Sequence, residues 1–147
     1  MEHIEIFLKG QPARVTHQSG TRYPRRGRPY KTKALMVYER YLQYGLALYR
    51  PAKAISGPVK LSVKFGFQAG RKKDAGKWKT TKPDTDNMIK TVKDILTDLN
   101  FWLDDAQVTH ETCLKFWTDQ PGISITIEEL QEKAEDEEWK KSTQPKA

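Results

Sequence analysis

The chain has 147 residues, with 26 Lys plus Arg against 19 Asp plus Glu, 37% hydrophobic content and a single cysteine. That length fits one domain with a real core, and Cys113 alone excludes an intrachain disulfide or a cysteine-built zinc site. The net charge of +7 is uneven: from Glu128 onward seven acidic residues face four basic ones, so the body carries about +10 and points to a polyanionic partner.

Glu2 to Leu8 alternates, with Ile4, Ile6 and Leu8 on one face, which predicts a short strand. Lys9 to Lys33 follows without one acidic residue. It holds Arg14, Arg22, Arg25, Arg26, Arg28, Lys31 and Lys33 among Tyr23, Pro24, Pro29 and Tyr30. Arginine suits bidentate phosphate contacts and tyrosine can stack on bases, so Arg25, Arg26, Arg28 and Lys31 are candidate DNA contacts. The plain alternative is a solvated flexible loop. Lys33 to Tyr49 has helical spacing in Leu35, Met36, Tyr38, Leu42, Leu46 and Tyr49, and Pro51 stops it. Gly57-Pro58 is a turn. Val59, Leu61, Val63, Phe65 and Phe67 then alternate with Lys60, Ser62, Lys64 and Gly66, the clearest strand in the chain. Ala69 to Thr81 is a Gly- and Lys-rich loop, expected to be a disordered, self-repelling segment or a mobile arm that grips DNA through Arg71, Lys72 and Lys73.

Lys82-Pro-Asp-Thr-Asp-Asn-Met-Ile-Lys90 is the stretch on which the rest centres. Pro83 disfavours helix at Lys82, and Asp84 suits the cap of a helix starting there. Met88, Ile89, Val92, Ile95, Leu96 and Leu99 form its apolar stripe, leaving Asp86, Lys90, Lys93 and Thr97 on the opposite side. Carboxylates at Asp84 and Asp86 are oxygen ligands of the kind a hard cation takes. Ala106 to Trp117 predicts a strand, with Val108, His110, Thr112, Leu114 and Phe116 on one face and His110 at the sheet surface. Thr118 to Gly122 is a turn, and Ile123, Ile125 and Ile127 make a last strand, expected to pair with the preceding one as a hairpin. The order β-α-β-α-β-β predicts an α/β domain over residues 1–129: a mixed sheet of about four strands packed against two helices, followed by a charged tail, 130–147.

Lys82-Pro-Asp-x-Asp-Asn-x-x-Lys90, a helix ending at Asn100, and Phe101-Trp-Leu-Asp-Asp-Ala-Gln-Val108 together resemble the RusA-type Holliday junction resolvases. The likeness runs from Lys82 to Val108, with a weaker match at Arg26-Gly-Arg28 and none after Leu130. Where many members carry a Pro-Pro-Ser-x-Asn run, this chain has Lys9-Gly-Gln-Pro-Ala13, and no role is carried over to that loop. The resemblance implies a RusA-like fold and a dimeric, Mg²⁺-dependent endonuclease, with Mn²⁺ able to substitute, of a type common in prophages and acting on four-way DNA. It implies that Asp84, Asp86 and Asp105 hold the metal and that Lys90 supports the chemistry. Lys82 joins the expected DNA contacts.

The separation of these carboxylates poses a problem. Asp105 lies nineteen residues beyond Asp86, and the intervening helix would span about 24 Å. Asp105 returns toward the helix start, the helix starts later than Asp84, or a second subunit completes the site. Asp104 is a candidate neighbour of the metal, or simply a turn residue. Three rival readings stand beside the resolvase. A PD-(D/E)xK nuclease needs an acid-x-Lys on a later strand, and only Glu138-Trp-Lys140 in the polar tail offers one. A non-enzymatic basic module for branched DNA would use the acidic motif as cap and turn. A structural interaction protein would use the tyrosines of the first helix. Met1-Glu-His-Ile-Glu lacks the basic start and apolar run of a signal peptide, and no stretch approaches a membrane span, so a cytoplasmic setting in a bacterial or phage-infected cell is expected.

Overall fold

The computed structural model describes residues 1–134 and 136–145. Its elements are β1 (His3–Lys9), β2 (Thr21–Arg22), β3 (Tyr30–Lys31), α1 (Lys33–Ala47), β4 (Val59–Gln68), α2 (Thr85–Asp98), β5 (Val108–Thr118), β6 (Gly122–Glu129) and α3 (Glu137–Ser142). The main sheet runs β1-β6-β4-β5. β6 is antiparallel to both β1 and β4, while β5 is parallel to β4. The predicted α/β class and mixed four-stranded sheet are therefore what the chain forms.

Alternation along the strands sorts the two faces. Ile6 and Leu8, then Leu61, Val63, Phe65 and Phe67, then Ile123, Ile125 and Ile127 are all buried beneath the helices. Register places Ile125 opposite both Ile6 and Val63, so one apolar layer crosses three strands. Leu35, Tyr38, Leu42 and Leu46 of α1 and Met88, Ile89, Val92, Ile95 and Leu96 of α2 close the core from above. Each fully buried large apolar side chain contributes roughly 1.5–3 kcal/mol. Met36 and Tyr49, assigned to the α1 stripe by spacing, are instead 48% and 41% exposed.

Two expectations are corrected, the pairing of β6 and the state of the 69–81 segment. β6 does not form a hairpin with β5. The turn after Thr118 carries the chain across β4, and β6 fills the slot between β4 and β1. A strand with Ile at 123, 125 and 127 buries more apolar surface in the sheet interior than at an edge. On β5 the helix-facing side chains follow from register with Leu61, Val63, Phe65 and Phe67: they are Glu111, Cys113, Lys115 and Trp117. Finally, the 69–81 segment is ordered rather than a loose arm. Asp74 in the 3₁₀ turn Lys72–Asp74 pairs with Arg71 and Lys77, both at 3.1 Å, which removes much of the self-repulsion. Residues 76–79 then run antiparallel along the free edge of β5, with Trp117 N donating to the Lys77 carbonyl at 2.9 Å and Trp78 bridged to Phe116.

α2 ends in a Schellman turn. Asn100 takes φ 61°, its N–H bonds the Thr97 carbonyl at 3.0 Å, and Phe101 N bonds the Leu96 carbonyl at 3.1 Å. Phe101 and Trp102 are fully buried at this end, as expected, and Trp102 Nε1 donates to Thr97 Oγ1 at 2.8 Å. The tail contributes only the short, exposed α3; the part of the tail expectation that falls on Glu135, Lys146 and Ala147 lies outside the described residues. No helix among the described residues is long and apolar enough to cross a membrane.

Candidate active site

β5 climbs beside α2 in the opposite direction. Lys93 Nζ meets Glu111 at 2.9 Å, the Cys113 thiol lies 3.6 Å from the Thr85 carbonyl, and Lys115 Nζ donates to the carbonyls of Thr81 (2.7 Å) and Pro83 (2.8 Å). The start of α2 therefore sits beside the upper half of β5. Asp84 occupies the N-cap position, as expected, but its carboxylate makes no cap hydrogen bond. Asp86 follows in the first turn, and both residues are exposed. Among the described residues neither carboxylate has a cationic partner. Lys90 pairs with Asp94 at 3.6 Å rather than with Asp86.

The segment leading into Asp84 is strapped from below. Lys79 is only 3% exposed. Its ammonium donates to Thr81 Oγ1 and to the Lys82 carbonyl at 2.7 Å, and lies 5.1 Å from the Phe67 ring centre and 4.6 Å from that of Trp117. Burial, then the positive charges of Arg14 and Lys115, hold Lys79 below the ordinary lysine range. Two lysines thus fasten three consecutive carbonyls immediately before the acidic pair. Neither has a carboxylate partner among the described residues.

A second wall comes from the loop before β2. Thr16 is buried, His17 N donates to Thr91 Oγ1 at 3.0 Å, and Asn87 Nδ2 donates to Gln18 Oε1 at 2.7 Å. Gly20 lets this loop lie flat on α1, since a Cβ there would stand 2.6 Å from Leu35 Cβ. Between this loop and Asp84 is a cleft of about 150 Å³ that includes Arg14, Gln18, Lys82 and Asn87 in its lining. Sequence reading counted Arg14 among the basic residues but not as a site residue, and missed Lys79 and Lys115. Nothing in the local sequence separates these cations from the others.

Asp105 is elsewhere. It opens the 3₁₀ turn Asp105–Gln107 at the far end of α2, where Gln107 Nε2 donates to the carbonyls of Ile55 (2.8 Å) and Gly57 (3.0 Å). The length of α2 puts it roughly 20 Å from Asp84 and Asp86. Among the described residues no three metal-ligating side chains converge. The helix starts at Thr85, only one residue past its cap Asp84, and its fourteen residues still span roughly 20 Å, so a later start does not solve the distance problem. Asp104 is a turn residue: its carboxylate accepts from Ala106 N at 2.9 Å in a capping box with Gln107.

A family model described as endodeoxyribonuclease RusA matches residues 10–128, a span covering the cleft loop, the strap, α2 and Asp105. The chain belongs to the RusA endodeoxyribonuclease family. It is 37% identical over 73 residues to a crossover junction endodeoxyribonuclease rusA of Lactococcus phage r1t, covering 50% of this chain and 56% of that protein. It is also 30% identical over 146 aligned positions to an uncharacterized protein, YqaN, of Bacillus subtilis (strain 168), covering 88% of this chain and 99% of that one.

The candidate DNA contacts of this RusA-family chain separate into two groups. Arg25, Arg26 and Arg28 are exposed on the connection between β2 and β3, and among the described residues none has an acidic partner. Lys82 is exposed beside Asp84. Lys31, by contrast, pairs with Glu39 at 2.9 Å, and Arg71 pairs with Asp74. Lys72 and Lys73 are exposed on the 3₁₀ turn before the strap.

Proposed function

We propose that the chain is a Mg²⁺-dependent endodeoxyribonuclease that resolves four-way DNA junctions by paired phosphodiester hydrolysis, acting as a homodimer in the cytoplasm of a bacterial or phage-infected cell. The observation that carries this is the pair Asp84 and Asp86: two exposed carboxylates, free of cap bonds and cationic partners among the described residues, on a strapped backbone in a RusA-family chain. Oxygen donors not spent on the protein's own bonds fit a hard cation, Mg²⁺ or Mn²⁺. When bound, such an ion supplies charge stabilisation at the phosphate and a more acidic water. Asp84 and Asp86 hold it. Lys90 is one turn from Asp86, and its half-exposed pairing with Asp94 is weak enough to exchange for a phosphate. Arg25, Arg26, Arg28, Lys82 and the Lys72–Lys73 turn hold the arms. The name of the phage relative, a crossover junction endodeoxyribonuclease, supports the junction as substrate.

Asp105 belongs to this reading through a second copy of the chain. Each two-fold-related site takes Asp84 and Asp86 from one protomer and Asp105 from the other, which also gives the two equivalent sites that paired cuts need. Mixing subunits tests this. Asp84→Asn and Asp105→Asn homodimers should each be inactive. A heterodimer of the two has one site with all three aspartates and one with neither Asp84 nor Asp105, so it should nick one strand. A heterodimer as inactive as both parents would put all three aspartates in one chain's site. For the activity itself, a synthetic four-way junction and a linear duplex are incubated with and without Mg²⁺. Product from the junction alone, and only with metal, is expected. A bound but uncut junction at every Mg²⁺ concentration would favour the non-enzymatic module.

A further inference from the structure

A lysine ammonium is costly to bury without a carboxylate, and the fold buries Lys79 that way. An apolar side chain between Phe67 and Trp117 would fill the same place without that cost. What Lys79 gains is the Lys82 carbonyl and the Thr81 hydroxyl. Lys115, on the neighbouring strand, takes the Thr81 and Pro83 carbonyls. Both stems rise from rigid positions: Lys79 N bonds the Lys115 carbonyl at 3.3 Å, and Lys115 sits in register with Phe65 of β4. Every carbonyl from Thr81 to Pro83 therefore ends on an ammonium anchored to β5, and the next residue is Asp84.

We propose that Lys79 and Lys115 are positioning residues: they clamp Thr81–Pro83 to the sheet edge and so hold the Asp84 carboxylate, with Asp86 two residues on, in the arrangement that takes the cation. The claim rests on the metal-site reading of Asp84 and Asp86. Residues that orient metal-holding groups from behind typically change metal affinity by about 10–100-fold when removed.

The test uses the full chain and two readouts, Mn²⁺ binding by electron paramagnetic resonance and the Mg²⁺ dependence of junction cleavage. Lys115→Met should weaken Mn²⁺ binding and raise the half-saturating Mg²⁺ concentration by roughly tenfold or more. Junction affinity without metal should stay within about twofold, because Lys115 points at backbone carbonyls rather than DNA. Lys115→Arg, which can still donate to both carbonyls, should recover most of the loss. Thr81→Val removes an acceptor of Lys79 at an exposed position and should move both readouts the same way by a smaller factor. It also keeps the test standing if Lys115→Met does not fold. Lys53→Met, on the exposed loop after α1, is the charge control and should match the parent. Parent-like Mn²⁺ binding in folded Lys115→Met, or in Thr81→Val if the former is unfolded, overturns the clamp. So does Lys115→Arg being as defective as Lys115→Met. The two readings fail separately. If Asp84→Asn abolishes Mn²⁺ binding while Lys115→Met leaves it intact, only the clamp is wrong. If Asp84→Asn binds Mn²⁺ like the parent, the metal site itself is wrong.

Discussion

The two basic segments, Lys9–Lys33 and Ala69–Thr81, look alike in composition but divide their charge differently, although Lys31 of the first is tied to Glu39 and Lys72 and Lys73 of the second stay exposed. In the first, Arg25, Arg26 and Arg28 stand on an exposed turn, and Arg14 lines the cleft beside Asp84; none of the four has an acidic partner among the described residues. In the second, Arg71 and Lys77 are tied to Asp74 and Lys79 is buried under the motif. In the proposed function, cations left free face the DNA, while cations engaged internally shape the backbone that leads into Asp84. Counting lysines and arginines does not separate these uses, because the difference lies in which carbonyl or carboxylate the fold brings within hydrogen-bond reach.

The largest effect should come from what the second segment supports. Asp84→Asn or Asp86→Asn should lower junction cleavage by on the order of 10²–10³ or more, the scale of losing a major electrostatic contribution at a reacting phosphate. Binding should persist or tighten, because a carboxylate facing DNA is repulsive until a cation neutralises it. Since Asp84 makes no cap bond, Asp84→Asn should leave the thermal midpoint near the parent value, which calorimetry checks. A large fall in that midpoint would reassign Asp84 to structure.

Next comes the free group. Replacing Arg25, Arg26 and Arg28 together with Ala should flatten the dependence of log K on log salt by about 0.9 for each phosphate no longer neutralised. Cleavage at saturating DNA should change far less. Equal losses in affinity and in saturated rate would place these arginines at the chemistry and erase the contrast between the segments. Arg14→Ala sharpens it from the other side. As one uncommitted cation beside Asp84, it should reduce the salt slope by about 0.9 or less and lower the saturated rate as well. An unchanged slope would return Arg14 to plain surface.

The smallest effect belongs to the committed pair. Arg71→Ala should leave the salt slope at the parent value, since Arg71 already faces Asp74. Hydrogen bonds from Lys77 and Arg71 hold the Asp74 carboxyl below its ordinary range. A depressed carboxyl contributes stability above its unfolded pKa and loses it as pH falls through the folded value. Proton-exchange protection at residues 76–79 should therefore persist through mildly acid pH and fail only below the usual aspartate range. A drop in salt slope on Arg71→Ala would move Arg71 into the free group.

β1, α1, β4 and α2 were legible because each is strongly periodic and bounded by Pro, Gly or a capping residue. The pairing of β6 was not. Thr118–Gly122 suits a hairpin turn, and only the need to bury Ile123, Ile125 and Ile127 on a sheet-interior strand decides against one. The ordering of 69–81 was hidden for a related reason. Asp74 is one acid in a basic run, and its effect depends on a 3₁₀ turn that sets it against Arg71 and Lys77 at once.

By itself the sequence determined the α/β class, the acidic motif at the head of α2 and the family, because these rest on local periodicity and on residue spacing along one stretch. Tertiary structure alone decided how the motif is supported and how far from it Asp105 lies. Lys79 and Lys115 are 36 residues apart in the chain, and they meet under Thr81–Pro83 only because residues 76–79 dock on the edge of β5. Asp84 and Asp105 are 21 residues apart, and they stay separated because a straight helix of fourteen residues keeps its ends roughly 20 Å apart.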